Sequence, residues 1–407
     1  MSGGGALCFL SKVTNHVLSS VRKKNGGKEE MLKKAISWLL VLALLCSCVV
    51  LSVFAEGQPA NDAEAVTAGY HFKVTKQDGT VTYGKFAASG DDKVLNSVES
   101  GSTVTLIQDV GVDPTNPDKL AETMVYLNGT YTIDGNGHSM NVRFRSDATA
   151  NVTVKNMKLL VKLGDGKWGN FYQINANNSC TFDACTFVID GKPNNAVIIP
   201  RGNLTLKDSS FKYVTTSSQA IFFNETNNYV NLINTTFDLS EAPNAKIGVI
   251  VGVNNKYHTQ FAMMMRMVNE AADGSTLSLV DDFTVEGTGN GKRFELSKKL
   301  TVEGNGHVVK AASGFNERLA FFTSGADVVL RNISFIQDKS NTVMQISGGK
   351  VTLENATIQC TNATTQMVVL RGELVLNAGA KILGGDADAN VITNAFFMDQ
   401  PSGSLTV

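Results

Sequence analysis

Two eight-residue stretches of the chain, residues 131–138 (YTIDGNGH) and 300–307 (LTVEGNGH), are near copies that stand 169 residues apart. Each joins a short apolar strand pattern to a turn rich in Gly and Asn, the residues that favour turns. A second pair, GST at 101–103 and GST at 274–276, repeats at a spacing of 173 residues. These two repeats predict that the chain is an internal duplication, with copy A over residues 67–241 and copy B over 245–407.

A smaller unit recurs inside each copy, and its centre is VTVKNMKL at residues 152–159. Related stretches begin at residues 180, 204, 230, 328, 351 and 374. Apolar residues at alternate positions point inward from a strand, and the intervening polar residues point outward. With the strands that start at residues 131 and 300 and the last one at 405 included, consecutive strands of this type within a copy are 21–31 residues apart, which fits one coil of a solenoid per repeat.

One position of the repeat carries a side-chain amide or carboxylate in most coils. If the coils stack, these side chains can hydrogen-bond from one coil to the next. The predicted ladder consists of Asn156, Asp208, Asn234, Asn332 and Asn355.

The strand-DGNGH stretch and the repeats of the VTVKN type resemble the right-handed parallel β-helix of the pectate-lyase-like superfamily, over residues 67–407. They are similar in particular to duplicated β-helix modules on secreted or cell-wall-displayed bacterial proteins. The fold class predicted is therefore all-β, a right-handed parallel β-helix (a solenoid) in two tandem copies. Each copy is expected to begin with a hairpin (residues 72–83 and 249–257) and a capping helix (91–100 and 261–272). Copy B stops within a coil at Val407, from which we expect that the sequence is truncated.

The first 66 residues contain a predicted export signal. Residues 35–55 are almost all apolar or small, follow Lys33 and Lys34, and end in VFA. We interpret residues 31–55 as a signal peptide cleaved between Ala55 and Glu56, residues 1–30 as an over-extended N-terminus, and 56–66 as a linker. An uncleaved membrane anchor and a lipoprotein acylated at Cys48 are the alternatives. The expected location is extracellular, either secreted or on the cell wall or cell surface.

Composition excludes some partners and cofactors. The 36 Lys+Arg residues nearly balance the 37 Asp+Glu residues, so no basic excess points to nucleic acid. Cys180, Cys185 and Cys360 are too few and too irregularly spaced for a disulfide framework or a zinc site, and we expect them to be buried apolar residues. The stretch at 386–390 (DADAN) begins like a calcium loop but lacks its Gly and its closing Glu. We therefore interpret it as a solvated loop, with calcium as the alternative, and predict no cofactor or metal.

The two Gly-His turns are the first places to look for catalysis. Polygalacturonases of this fold carry an Asp pair before a Gly-His and a later Arg-Ile-Lys. Here Asp281 and Asp282 precede His307, but the Arg-Ile-Lys is missing and copy A offers only Asp109. Turn chemistry explains both stretches better, and no acidic cluster of the lyase type stands beside the outward arginines. No catalytic residue is predicted.

The binding residues predicted are outward arginines and one tryptophan in a Gly-rich loop that could stack on sugar rings: Arg145, Trp168, Arg201 and Arg371. The function predicted is a non-enzymatic binding, adhesion or stalk module, with an extracellular glycan or host-surface ligand as its partner. A polysaccharide lyase or glycoside hydrolase is the competing interpretation. The sequence leaves the oligomeric state open.

Overall fold

A computed structural model describes residues 58–164, 170–191, 196–223, 229–248, 251–253, 256–258, 261–285, 293–313, 315, 317–338, 342–361, 367–384, 396–398 and 403–407. The predicted signal peptide, its cleavage residues Ala55 and Glu56, the loop residue Trp168 and the acidic loop at 386–390 lie outside these ranges. Across the described ranges, no helix is long and apolar enough to cross a membrane.

The first half of the described chain begins with a short helix, α1 (Asp62–Thr67). Its strands are β1 (Phe72–Thr75), β2 (Val81–Gly84), β3 (Gly90–Asp92), β4 (Thr103–Leu106), β5 (Thr123–Asp134), β6 (Ser139–Met140), β7 (Arg143–Lys155), β8 (Lys158–Leu163), β9 (Tyr172–Ile174), β10 (Ser179–Asp183), β11 (Thr186–Gly191), β12 (Ala196–Pro200), β13 (Asn203–Lys207), β14 (Ser210–Tyr213), β15 (Ala220–Phe222), β16 (Val230–Ile233) and β17 (Thr236–Asp238).

Among its described residues, the second half contains the α-helix α2 (Phe261–Glu270). Its strands are β18 (Val251–Val253), β19 (Lys256–His258), β20 (Ser275–Leu279), β21 (Phe283–Val285), β22 (Phe294–Leu296), β23 (Lys299–Glu303), β24 (Val308–Ala311), β25 (Ala320–Phe322), β26 (Asp327–Arg331), β27 (Ser334–Gln337), β28 (Met344–Ile346), β29 (Lys350–Glu354), β30 (Thr357–Cys360), β31 (Val368–Leu370), β32 (Glu373–Leu376), β33 (Lys381–Gly384), β34 (Phe396–Met398) and β35 (Ser404–Thr406).

These strands build a parallel β-solenoid of about 10 turns, which confirms the predicted all-β, parallel β-helix class. The division into two tandem copies with capping helices stays a prediction. We distinguish three faces. The first face runs from β4 through the C-terminal parts of β5 and β7 to β16, and then from β20 to β35. The second face consists of two sheets, β6-β8-β11-β14-β17 and β21-β24-β27-β30-β33. The third face carries β9, β12 and β15 in the first half and β22, β25, β28, β31 and β34 in the second.

Alternating apolar residues explain why the strands stack in register. Each inward residue meets the inward residue of the next coil, so that a column of buried side chains runs along the solenoid axis. A one-residue slip would turn the column outward, so the pattern fixes the register. In the first half one such column is Ile133, Val154, Phe182, Leu206 and Leu232.

The described cysteines, Cys180, Cys185 and Cys360, are buried and form no disulfide bond, as predicted. Burial raises the pKa of Cys180 and Cys185 to about 12, because the apolar interior disfavours the thiolate. Both thiols are therefore packing groups rather than nucleophiles.

Two sequence predictions near the start of the first half need revision. The segment predicted as a linker ends in α1, because Asn61 caps that helix with a hydrogen bond from the Glu64 amide to its side chain. The helix predicted over 91–100 is only a 3₁₀ turn, Val94–Ser97. Asp92 belongs to β3, and its side chain accepts the Val94 amide, so the chain leaves the strand directly into this turn.

In each half an antiparallel hairpin precedes the first coil, β1–β2 in the first half and β18–β19 in the second. The inner strand of each hairpin pairs antiparallel with the first coil of its own half, β4 or β20. The outer strand β19 also pairs antiparallel with β16, through Val230 opposite Tyr257 and Asn231 opposite Lys256. This short pairing, which we call the joint, makes the first face continuous between two separate hydrophobic cores.

Candidate functional site

The joint opens a cleft on the second face of the solenoid. On the first face, β19 and β18 lie between β16 and β20, so these two coil strands are about 14 Å apart at the usual strand spacing. On the second face the first sheet ends at β17 and the next begins at β21, with no described strand between them. The inserted hairpin therefore separates the coils on one face and leaves a gap on the neighbouring face.

The cleft has a volume of about 570 Å³ and is lined by both halves. Its apolar lining residues are Leu232, Phe237, Leu239, Ile247, Tyr257, Leu279 and Val280. Its polar lining residues are Asn234, Thr235, Ser240, Asp281, Asn305 and His307. Amide, hydroxyl and imidazole groups beside an apolar strip form the kind of surface that takes a ligand with one polar and one apolar side.

The aromatic residues of the cleft are held by packing. Phe237 stacks on Phe211 with ring centroids 5.4 Å apart, and it is the last aromatic ring of a stacked column in the first core. Tyr257 is buried against Gly252, where a side chain would overlap the Tyr257 ring. Burial raises the pKa of Tyr257, so its hydroxyl stays protonated.

Asp281, the single carboxylate among the described lining residues, is already engaged with the backbone. It accepts hydrogen bonds from the amides of Ile247 (2.7 Å) and Asp282 (2.8 Å). The bond from Ile247 fastens the segment at the end of the first half to the first coil of the second, and the bond from Asp282 is local. We infer a bracing role for Asp281.

His307 lies 3.4 Å from Asp282, measured between Nδ1 and Oδ1, and the same oxygen accepts the Val308 amide at 3.0 Å. The first half repeats this arrangement: His138 lies 3.4 Å from Asp109, which accepts the Ser139 amide at 2.8 Å. In both turns the Asp ties its own coil to the turn of the next coil. Because the same arrangement occurs in both halves, we interpret it as a structural turn. His307 lines the cleft and His138 does not.

A polar groove continues from the cleft along the second half, with a volume of about 670 Å³. It shares Asn305 with the cleft and is also lined by Glu303, Asn332, Ser334, Asn355 and Thr357. The side chain of Asn355 donates to Asn332 at 2.7 Å, and Asn332 donates to Glu303 at 3.0 Å. The bottom of the groove is thus a chain of side-chain hydrogen bonds that crosses successive coils.

The five residues predicted as a ladder occupy the turn between the first and second faces. Asn234 donates to Asp208 (3.0 Å) and Asn355 to Asn332, whereas Asn156 and Asn332 reach the carboxylates of Asp134 and Glu303 at the ends of the preceding strands. All five have a positive φ of 47–52°. The sequence analysis missed this backbone requirement, although Asn and Asp are the non-glycine residues that best tolerate it.

The predicted binding arginines are not brought together. Arg145 lies on β7, where its guanidinium is 5.9 Å from the ring of Tyr126, and the ammonium of Lys93 is 5.2 Å from the same ring. Arg201 follows β12 on the third face of the first half, and Arg371 follows β31 in the second half. None of the three lines the cleft.

The cleft itself was missed by sequence reasoning. The sequence signal for the cleft was the hairpin pattern directly after the last coil of copy A, because a hairpin there interrupts the stack of coils. That signal gives no indication of which face opens. Among the described residues, no three His, Cys, Asp or Glu side chains are grouped to hold a metal ion.

Comparisons of the chain with protein-family models, with curated proteins and with solved structures found no match. The functional argument therefore rests on the fold and on the cleft.

Proposed function

We propose that this protein is a secreted or surface-displayed, non-enzymatic module that binds a neutral glycan in the cleft at the joint. We further propose that it belongs to the pectate-lyase-like β-helix superfamily, on the strength of its fold and its repeated motifs. The observation that carries the function is the lining of the cleft, in which amides, hydroxyls and an imidazole surround an apolar strip. A sugar ring presents hydroxyls at its edge and C–H groups on its face, and it matches such a lining.

The charge of the lining favours a neutral ligand over a polyanion. Among the described residues that line the cleft, Asp281 is the only carboxylate and none is a Lys or an Arg. An anionic polymer would therefore meet a like charge without a compensating cation.

The cleft supports binding better than glycoside hydrolysis. Hydrolysis generally requires two carboxyl groups placed on either side of the bond to be cleaved. The carboxylate in the lining accepts two backbone hydrogen bonds, and the nearby His–Asp pair recurs at His138 and Asp109 outside the cleft. A polysaccharide lyase or glycoside hydrolase is the alternative that the following experiment tests.

The test is a binding measurement on the monomeric chain from Glu56 onward, by calorimetry or on immobilised glycans. We expect neutral oligosaccharides to bind more tightly than uronate or sulfated ones. His307→Ala should weaken binding about tenfold, the equivalent of one hydrogen bond. His138→Ala is the matched control, since it removes the same kind of His–Asp pair at nearly the same exposure (32% against 31%).

Equal losses in the two variants, or no binding of neutral glycans, would contradict the proposed site. Reducing-end or unsaturated products in the same incubations, with and without calcium, would establish the enzymatic alternative instead.

A further inference from the structure

The turns between the first and second faces form one continuous track that joins the cleft to the polar groove. The cleft is lined by the turns that follow β16, β20 and β23, and the groove is lined by the turns that follow β23, β26 and β29. Asn305, in the turn after β23, belongs to both. The track runs along the solenoid axis, because each of these turns lies beyond the one before it in the stack of strands.

Strand pairing gives the length of the track. Between its ends the first face carries seven strands in succession, β16, β19, β18, β20, β23, β26 and β29. Their intervals of about 4.8 Å add up to about 29 Å. A single sugar ring fills only part of this length, whereas a chain of linked sugars can follow all of it.

Two columns of polar side chains repeat along the groove at the spacing of the coils. One column consists of the turn amides Asn305, Asn332 and Asn355. The other consists of Ser334 and Thr357, which lie directly opposite each other in β27 and β30 and are half-buried. Asn355 donates one hydrogen bond to Asn332. An Asn side chain has two donor hydrogens and an acceptor oxygen, so this bond leaves capacity for the hydroxyl groups of a ligand.

The groove has the same charge character as the cleft. Among the described residues that line it, Glu303 is the only carboxylate and none is a Lys or an Arg. One oxygen of Glu303 accepts hydrogen bonds from the backbone amide of Asn305 (3.1 Å) and from the side chain of Asn332 (3.0 Å). The carboxylate is thus part of the floor of the groove, and the described lining offers an anionic ligand no cation to pair with.

The corresponding turns of the first half differ in chemistry. On that side of the cleft, Asp208 and Ala184 stand where the second half has amides. The ammonium group of Lys207 lies 3.0 Å from the carboxylate of Asp183 and 3.7 Å from that of Asp208, so charged groups occupy this turn. The amide column therefore extends from the cleft in one direction, into the second half.

We propose, on the basis of the glycan site proposed above, that the ligand is a linear neutral polysaccharide that lies parallel to the solenoid axis. One segment of the polysaccharide occupies the cleft, and the sugars that follow it occupy the groove as far as Asn355 and Thr357. Because the lining repeats from coil to coil, successive sugars meet amide and hydroxyl groups of the same kind, and each further sugar gains hydrogen bonds.

The test measures affinity against ligand length for the chain from Glu56 onward. Isothermal titration calorimetry compares the trisaccharide with the hexasaccharide in three linear neutral series, the cello-, xylo- and manno-oligosaccharides. In the series that the protein recognises, we expect the hexasaccharide to bind at least tenfold more tightly than the trisaccharide, because only the longer ligand reaches the groove.

Ser334→Ile separates the groove from the cleft. Isoleucine removes the hydroxyl and fills the groove, while its branched side chain suits a strand. We expect this variant to bind the hexasaccharide as weakly as the trisaccharide, and its unchanged trisaccharide affinity shows that it is folded. Ser210→Ile is the matched control and should change neither affinity. Ser210 begins β14 as Ser334 begins β27, and it is likewise half-buried but lies outside the groove.

A second pair of variants repeats the comparison one coil further from the cleft. Thr357→Ile should reduce the hexasaccharide affinity and leave the trisaccharide affinity unchanged. Its control is Thr186→Ile, at the corresponding first position of β11.

The outcomes distinguish the extended site from the glycan site in the cleft. Equal affinities for the trisaccharide and the hexasaccharide would overturn the extended site and leave the cleft in place. Equal effects of the groove variants and their first-half controls would do the same. Absence of binding throughout the three series would overturn both proposals together.

Discussion

At the scale of the residue, one backbone conformation controls the turn between the first and second faces. Asn136, Asn156, Asn234 and their counterparts in the second half take a positive φ there, and their side chains reach the coil before. Ala184 stands at the same position with φ 53°, and its side chain is exposed. Ala has neither the tolerance for this conformation nor the amide to bridge the neighbouring coils.

Ala184→Asn should therefore raise the free energy of unfolding by about 1 kcal/mol, from relief of backbone strain and from a new hydrogen bond. Denaturation in urea measures the change. Ala184→Gly separates the two causes, because Gly relieves the strain without adding an amide. A stability equal to or below that of the unmodified chain for both variants would refute this explanation of the turn.

At the scale of the element, the two glycines of each Gly-Asn-Gly turn are required for different reasons. Gly137 and Gly306 have positive φ and open space where a side chain would lie. Gly135 and Gly304 lie against the next coil, where a side chain would come within 2.6 Å and 2.5 Å of the Asn156 and Asn332 carbonyl oxygens. From the sequence, all of these glycines were expected to let the chain bend, but Gly135 and Gly304 are required for close packing of successive coils.

Gly304→Ala should consequently destabilise the second half by about 1–3 kcal/mol, the usual cost of overpacking against backbone. Gly306→Asn is the matched control, since Asn tolerates the positive φ and meets no neighbour, and it should change stability by less than about 0.5 kcal/mol. Thermal denaturation of the two variants decides the matter. A larger loss for Gly306→Asn than for Gly304→Ala would contradict the assignment.

At the scale of the whole molecule, the described strands on either side of the joint, β16 and β19, meet through two opposed residue pairs, Val230–Tyr257 and Asn231–Lys256. This pairing lies between the two hydrophobic cores. In a solenoid each coil is stabilised mainly by its neighbours, so a weak contact between coils divides the array into separate cooperative units. The cleft lies at this division, and its walls come from both halves.

We expect Phe335→Ala, which removes a buried ring from the second core, to lower amide protection against hydrogen exchange in the second half only. Phe211→Ala should do the same in the first half. Hydrogen-exchange mass spectrometry of the monomer resolves the two sets of peptides. A uniform loss across both halves in either variant would show that the joint couples them as one unit.

The sequence by itself determined the solenoid. Strands with alternating apolar residues, joined by a recurring polar turn, can bury their apolar side chains and pair their backbones only by stacking as coils. It also located both hairpins, the helix of the second half and the buried cysteines, all of which depend on local patterns. Only the tertiary structure decided where the cleft lies. The gap between β17 and β21 depends on what the inserted hairpin does to a neighbouring face, and lining residues as far apart in sequence as Leu232 and His307 meet there. The sequence contained the Asp and His residues of both turns, but only the fold showed that His138 contacts Asp109 and that His307 contacts Asp282, since each pair joins two successive coils that the sequence separates by about 25–30 residues.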